Sequence, residues 1–168
     1  YEHGFAMLAI GECYGVIDER LLWLGEKRNV RSLGETLELA VRCAVTSQEQ
    51  NPHGAWRYDP RTKEADTSAA GAVLMGLFSA RNAGIAVPDE ALEKALQYYQ
   101  GMTMRSGIVG YSGPMGHGDS HARSAICALV FAIAKRKESD AYLAALDYVS
   151  KTADEVSMAW PCLLYTSD

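Results

Sequence analysis

The chain alternates between two kinds of apolar pattern. In residues 3–16, 66–83 and 121–134, apolar and small side chains occupy almost every position. After Asp66, Arg81 is the only charged residue in the second segment, and Arg123 is the only charged residue in the third. A helix that is apolar on every side has to be covered by protein on every side. We therefore predict three fully buried helices, referred to below as enclosed helices.

Three other segments place their apolar residues on one helical face only. They are residues 32–45, 89–100 and 140–150, and we refer to them as one-faced helices. Spacing of i, i+3, i+4, i+7 predicts one buried face for each. The predicted buried residues are Leu37, Ala40, Val41 and Ala44; Leu92, Ala95, Leu96 and Tyr99; and Tyr142, Ala145, Leu146 and Val149.

Enclosed and one-faced segments follow each other in strict alternation, which is the order that two concentric layers of helices require. No run alternates with a period of two residues, so the fold class is predicted to be all-α. The sequence of residues 18–31 allows two interpretations, an extension of an outer helix or an irregular insertion.

Each one-faced helix leads into a segment that we call a joint, which contains an aromatic residue, and in the first two joints glycine precedes that residue. The joint residues are Gly54 and Trp56; Gly107, Gly110 and Tyr111; and Trp160. Trp56 precedes Asp66 by ten residues, and Tyr111 precedes His121 by the same distance. Glycine permits a tight turn, and the aromatic ring is expected to cover the end of the helix pair.

Two polar residues of the first joint have predicted structural roles. Gln50 is expected to hydrogen-bond backbone groups that a helix end leaves unpaired. Asp66 stands at the expected N-cap of the next helix, so we predict that it is first of all a cap. Asp66, Tyr58 and Tyr111 are also candidate ligand-binding residues, because the joints are expected to face one mouth of the fold.

The loop before residue 121 contains His117, Asp119 and His121, three potential zinc ligands within five residues. The alternative is a glycine-rich loop in which Asp119 caps the following helix. We predict no metal and no cofactor, and we retain these three residues as candidates for polar ligand binding.

Composition narrows the function classes. The chain has 168 residues, 48% of them hydrophobic, and a net charge of −5 without a basic run, which argues against a nucleic-acid partner. Its apolar stretches are too short for a membrane span. Of the four cysteines, Cys13, Cys43 and Cys127 lie among apolar neighbours and are predicted to be buried thiols.

Both ends of the sequence suggest a fragment. The chain starts at Tyr1 without a methionine and enters a helical pattern at once. Residues 162–168 can be back-translated into a transposon-type sequencing adapter, so we expect them to be an artefact tail and give Cys162 no role. Residues 1–161 are accordingly interpreted as a fragment of one domain, of unknown compartment.

The motif Gln50-x-x-x-Gly54-x-Trp56 is similar to the QW repeat of squalene and hopene cyclases. Residues 54–92 resemble the prenyltransferase and squalene-oxidase repeat proteins, many of them bacterial, and the resemblance extends over residues 1–160. It implies a partial α/α toroid of about three inner and outer helix pairs with QW-like joints.

The catalytic motifs of that superfamily do not occur here. Where class II terpene cyclases have DxDD, this chain has Lys63-Glu64-Ala65-Asp66, and an alanine cannot donate a proton. The sequence has no Asp-x-Cys for the zinc of protein prenyltransferases and no CGEQ for a thioester.

The resemblance therefore implies a diverged toroid domain that binds an apolar, polyprenyl-like ligand or a peptide in its cavity. The alternative is a fragment of a terpene cyclase or prenyltransferase-type enzyme whose catalytic residues lie in missing sequence. A hydrolase or lyase on a related α/α scaffold is a third, weaker interpretation, because no paired carboxylates stand out.

Overall fold

The computed structural model describes residues 1–18, 31–113 and 120–159. In this part of the chain there are six helices and no strand, apart from one isolated bridge between Thr103 and Val109. The helices are α1 (Glu2–Cys13), α2 (Leu33–Glu49), α3 (Thr67–Asn82), α4 (Asp89–Met102), α5 (His121–Ile133) and α6 (Asp140–Ala159). The all-α prediction is confirmed for these residues. Predictions for residues 19–30, His117, Asp119, Trp160 and 162–168 lie outside them.

The chain divides into two compact units, Tyr1–Tyr98 and Tyr99–Asp168, with the division inside α4. In the first unit, α1 packs against α3, and α2 packs against both of them. In the second unit, α5 packs against α6. The assignment of residues 1–161 to one toroid domain stays a prediction.

Helix α3 is covered on all its sides, as its apolar sequence predicts. No side chain from Thr67 to Ala80 is exposed. Asp66 is the N-cap residue, and its Oδ1 accepts a 2.7 Å hydrogen bond from the Ala69 backbone N–H. The predicted role of Asp66 as a cap is therefore confirmed.

Glycines bring the backbones of α1 and α3 into contact. A Cβ atom built on Gly4 would lie 2.4 Å from the carbonyl carbon of Ala72. One built on Gly76 would lie 2.7 Å from the Met7 Cβ. Only glycine allows so close an approach, so these two residues determine how near the helices lie.

The prediction that α1 and α5 are also enclosed was wrong for one flank of each. Phe5 on α1 is 54% exposed, and Leu129 on α5 is 47% exposed. Ala122 and Ala125 extend the exposed flank of α5. An apolar sequence on every side shows that a helix can be buried on every side, but actual burial also requires a neighbouring element. Apolar residues are common at protein surfaces, so an exposed apolar flank is tolerated.

The buried faces of α2 and α4 follow the predicted spacing. On α2, Leu37, Val41 and Ala44 are buried, whereas Ala40 is half-buried. The helix begins with a capping box between Ser32 and Glu35. All four residues predicted for α4 are also buried, namely Leu92, Ala95, Leu96 and Tyr99. Local periodicity was sufficient for these two helices.

The buried face of α6 differs from the prediction. Ala145 is buried as expected, but Leu146 is 43% exposed, and Ala141 is buried in its place. Tyr142 and Val149, which were also predicted to be buried, are half-buried. The physical reason is a tertiary contact, because Gly107 packs directly on α6 at Ala144. This contact selects a face that is rotated from the one that the apolar spacing indicates.

Candidate functional site

A buried glutamine holds the first joint (residues 50–66) to its neighbouring helices. The Gln48 side chain is only 2% exposed, and its Nε2 donates to the Gly54 carbonyl at 2.7 Å and to the Ala91 carbonyl at 2.8 Å. The side chain of Gln50, to which the sequence pattern assigned this role, is exposed. Gln48 could have been found by its spacing, because it continues the buried face of α2 four residues after Ala44.

Trp56 connects the end of α2 to the start of α3. Its ring is buried, and its Nε1 donates to the Ala44 carbonyl at 2.8 Å. Its own carbonyl accepts a 3.0 Å hydrogen bond from the Asp66 backbone N–H. The first joint is thus anchored at the ring and at the backbone of the same residue.

Both joints place a glycine with left-handed backbone against the following one-faced helix. Gly54 has φ +66°, and a Cβ on it would lie 3.2 Å from the Lys94 Cβ on α4. Gly107 has φ +84°, and a Cβ on it would lie 2.1 Å from the Ala144 carbonyl oxygen on α6. Gly110, the other glycine of the second joint, is buried. This recurrence is the clearest structural sign of an internal repeat.

A cavity of about 140 Å³ lies beside the first joint, and we call it the aromatic cavity. Its walls include Tyr1, Trp56 and Tyr58. The rings of Tyr1 and Tyr58 are 5.9 Å apart between centroids, and the Arg57 guanidinium lies 5.6 Å from the Tyr58 centroid. Tyr58 is 60% exposed, the largest exposed fraction of the three rings. The predicted candidate Tyr58 therefore borders an opening of this cavity.

Arg57 connects the aromatic cavity to the buried carboxylate of Asp66. The Arg57 Nε lies 3.7 Å from Asp66 Oδ2, and its guanidinium also pairs with Glu64. Asp66 is fully buried, and its Oδ2 makes no hydrogen bond within the part of the chain that the structure describes. A buried carboxylate is costly without a countercharge, so Arg57 stabilises this arrangement.

The Tyr1 hydroxyl is a neutral hydrogen-bonding group at neutral pH. Burial raises the pKa of Tyr1 above its ordinary value, and the charge of Asp66 raises it further. A hydrogen bond with Ser68 acts in the opposite direction on the same pKa. The aromatic cavity thus combines the rings of Tyr1, Trp56 and Tyr58 with polar wall residues that include Glu2, His3 and Arg57.

Other candidates lie in the second unit. The Arg123 guanidinium lies 5.9 Å from the centroid of the Tyr111 ring, and its Nε donates to the Val109 carbonyl at 2.9 Å. The His121 ring stacks on Tyr148 with 5.3 Å between centroids. Tyr111 and His121 are therefore engaged with separate partners from their own unit.

The N-cap of α5 is Ser120, whose hydroxyl accepts a 3.3 Å hydrogen bond from the Arg123 backbone N–H. The interpretation that Asp119 caps this helix was therefore wrong. His117 and Asp119 lie outside the described residues. Within those residues, no group of three His, Cys, Asp or Glu side chains is placed to hold a metal ion.

The cysteines differ in accessibility. Cys127 is buried as predicted, and desolvation raises the pKa of its thiol to about 11, although a hydrogen bond with Thr103 opposes this shift. Cys43 is exposed, so the prediction of burial was wrong there, because position 43 lies on the solvent face of α2. Cys13 has intermediate exposure.

Comparison of the chain with protein-family models, with curated proteins and with solved structures gives no match. The resemblance to squalene-cyclase and prenyltransferase repeats thus rests on the residue pattern. None of the helices in the described ranges is long and apolar enough to cross a membrane.

Proposed function

We propose that the chain is part of a helical-repeat domain of the squalene-cyclase or prenyltransferase-like type, diverged to bind an apolar ligand. The observation that carries this proposal is the aromatic cavity with its walls of Tyr1, Trp56 and Tyr58. Its volume of about 140 Å³ is close to the roughly 150 Å³ of engineered cavities that bind benzene, although those cavities are lined by apolar residues and this one also has Glu2, His3 and Arg57 in its wall. A ring or a short branched alkyl group is therefore a suitable occupant.

The joint around the aromatic cavity is preorganised, which favours a binding role. Trp56 is fixed by its indole hydrogen bond to α2, and Gln48 fixes the turn that precedes it. A wall that is ordered before binding loses little conformational entropy when a ligand enters. Only Tyr58 among the three aromatic residues is largely exposed, so it is the wall residue best placed to admit a ligand.

The toroid arrangement is part of the same proposal. An enclosed helix, α3, stands in sequence between two one-faced helices, and the joints repeat a left-handed glycine against the next one-faced helix. Both features are what an inner and an outer layer of helices require.

The enzyme alternative draws on one observation, the buried Asp66 Oδ2 that makes no hydrogen bond with the described residues. Against it, Oδ1 of the same carboxylate caps α3, and Ala65 stands where the related cyclases have their acid. We expect no turnover of squalene or oxidosqualene by mass spectrometry. A cyclised product that vanishes in the Asp66→Asn variant would establish the enzyme alternative instead.

Binding to the aromatic cavity is tested by titrating the chain with benzyl alcohol and following backbone amides by two-dimensional NMR. We expect saturable shifts at the amides of Ser47 and Tyr58. The Tyr58→Ala variant should weaken binding about tenfold, since a lost aromatic contact is worth about 1.4 kcal/mol. Tyr111→Ala in the second unit is the matched control and should leave the dissociation constant unchanged. Equal weakening by both variants would contradict the proposal.

A further inference from the structure

A second, more open recess adjoins the aromatic cavity along α2. It has a volume of about 370 Å³, and it shares the wall residues Cys43, Ser47 and Pro60 with the aromatic cavity. Arg42 and Arg61 also line it, and we call it the arginine groove. Because three residues belong to both walls, the two recesses are direct neighbours.

Neither arginine of the groove is held in an ion pair by a described residue. Arg42 and Arg61 are both exposed, and neither forms an ion pair with any residue in the described ranges. By contrast, Arg57 pairs with Glu64, and Arg81 pairs with Asp89 at 2.5 Å. Two guanidinium groups that line one recess without an ion pair to a described residue are able to contact an anion there, although Glu38 and Glu49 lie on the other side of Arg42.

The groove also offers a hydroxyl and apolar surface. Thr46 and Leu39 contribute to its wall, whereas the Ser47 hydroxyl already donates to the Pro60 carbonyl at 2.9 Å. A guanidinium group binds a planar carboxylate through two parallel hydrogen bonds. The arrangement therefore matches an anionic group that is linked to an apolar one.

We propose that the aromatic cavity and the arginine groove together bind a small amphipathic carboxylate. Its ring occupies the aromatic cavity, and its carboxylate contacts Arg42 and Arg61. 4-Phenylbutyrate, in which a short alkyl linker joins a phenyl ring to a carboxylate, is a probe of this ligand class. This inference rests on the proposed binding function and adds the class of ligand.

The test compares 4-phenylbutyrate with its neutral isostere 4-phenylbutyramide by isothermal titration calorimetry at low ionic strength. We expect the carboxylate to bind about tenfold more tightly than the amide, since charge-assisted hydrogen bonds are about twice as strong as neutral ones. In an Arg42→Gln, Arg61→Gln double variant this advantage should be lost, while the amide binds as before. Added salt should reduce the advantage in the unchanged chain.

Arg105→Gln is the matched control, because Arg105 is an exposed arginine of the second unit. It should keep the preference for the carboxylate. Equal affinity for acid and amide, or an advantage that survives the double variant, would overturn the ligand class while leaving the aromatic cavity as a binding site. Failure of both ligands to bind would overturn this inference and the proposed function together. Circular dichroism of each variant confirms that the exposed substitutions leave the helices intact.

Discussion

Replacing Gln48 with alanine removes a side chain that hydrogen-bonds both Gly54 in the first joint and Ala91 on α4. Its two hydrogen bonds, of 2.7 and 2.8 Å, each contribute about 0.5–1.5 kcal/mol of net stability. The Ala91 carbonyl lies in a buried setting, so water cannot readily replace the amide there. Deleting a side chain that is 2% exposed also leaves a cavity, which costs about 1 kcal/mol more.

These terms predict that Gln48→Ala lowers the free energy of unfolding by about 3 kcal/mol. In a chain of 168 residues this corresponds to a fall in Tm of roughly 6–12 °C. Urea unfolding followed by circular dichroism at the helix band measures the free energy, and thermal unfolding measures the Tm. Because the joint forms one wall of the aromatic cavity, the same variant should also weaken benzyl alcohol binding.

Two variants serve as controls. Gln50→Ala should change the free energy of unfolding by no more than about 0.5 kcal/mol, because the Gln50 side chain is exposed. Gln48→Met keeps most of the buried volume but removes the amide, so it should recover the cavity cost and retain the hydrogen-bond cost. The structural role of Gln48 would be refuted if Gln50→Ala lowered the free energy of unfolding as much as Gln48→Ala. It would also be refuted if Gln48→Ala changed that free energy by no more than about 0.5 kcal/mol.

Two further predictions concern the second joint and the thiols. Gly107→Ala should lower the free energy of unfolding by at least about 2 kcal/mol more than Gly84→Ala does. Both glycines have positive φ, but only at Gly107 would a Cβ lie 2.1 Å from the Ala144 carbonyl oxygen. Equal losses of stability in urea unfolding would contradict this contact. Iodoacetamide at pH 8 should label Cys43 at least about 100-fold faster than Cys127, because the pKa of about 11 keeps the Cys127 thiol protonated. Peptide mass spectrometry measures both labelling rates. Similar rates would argue against burial of Cys127. Because the pKa of Cys127 is raised by folding, its stabilising contribution is present below the ordinary thiol pKa and is lost as the pH rises through about 11, which a pH series of Tm values would detect.

Much of the local structure could be predicted because its causes are local. The apolar spacing of α2 and α4 is visible along the chain, and burial follows that spacing. Asp66 could be recognised as a cap because a short carboxylate before an apolar run satisfies the first free N–H groups of a helix. The positive φ of Gly54 and Gly107 is consistent with the tight turns that the joints required.

The candidate site was only partly predictable. Tyr58 was chosen because the joints were expected to face one mouth of the fold, and its role as a ligand-binding residue stays a prediction. Gln48 was overlooked in favour of Gln50, whose spacing matched a known motif. Two residues of shift along α2 turn a side chain from the buried to the solvent face, since each residue advances the helix by about 100°. Motif spacing alone does not decide which of two neighbouring glutamines enters the core, whereas the continuation of the buried face does.

Taken by itself, the sequence determined that the described chain is helical, which faces of α2 and α4 are buried, and where α3 begins, because hydrogen bonding within a helix and apolar spacing act over a few residues. Tertiary structure decided the exposed flanks of α1 and α5, the rotation of α6 and the proximity of the aromatic cavity to the arginine groove. Those features depend on which distant segments meet. Cys43 and Pro60 form a common wall only because residues 17 positions apart are brought together by packing.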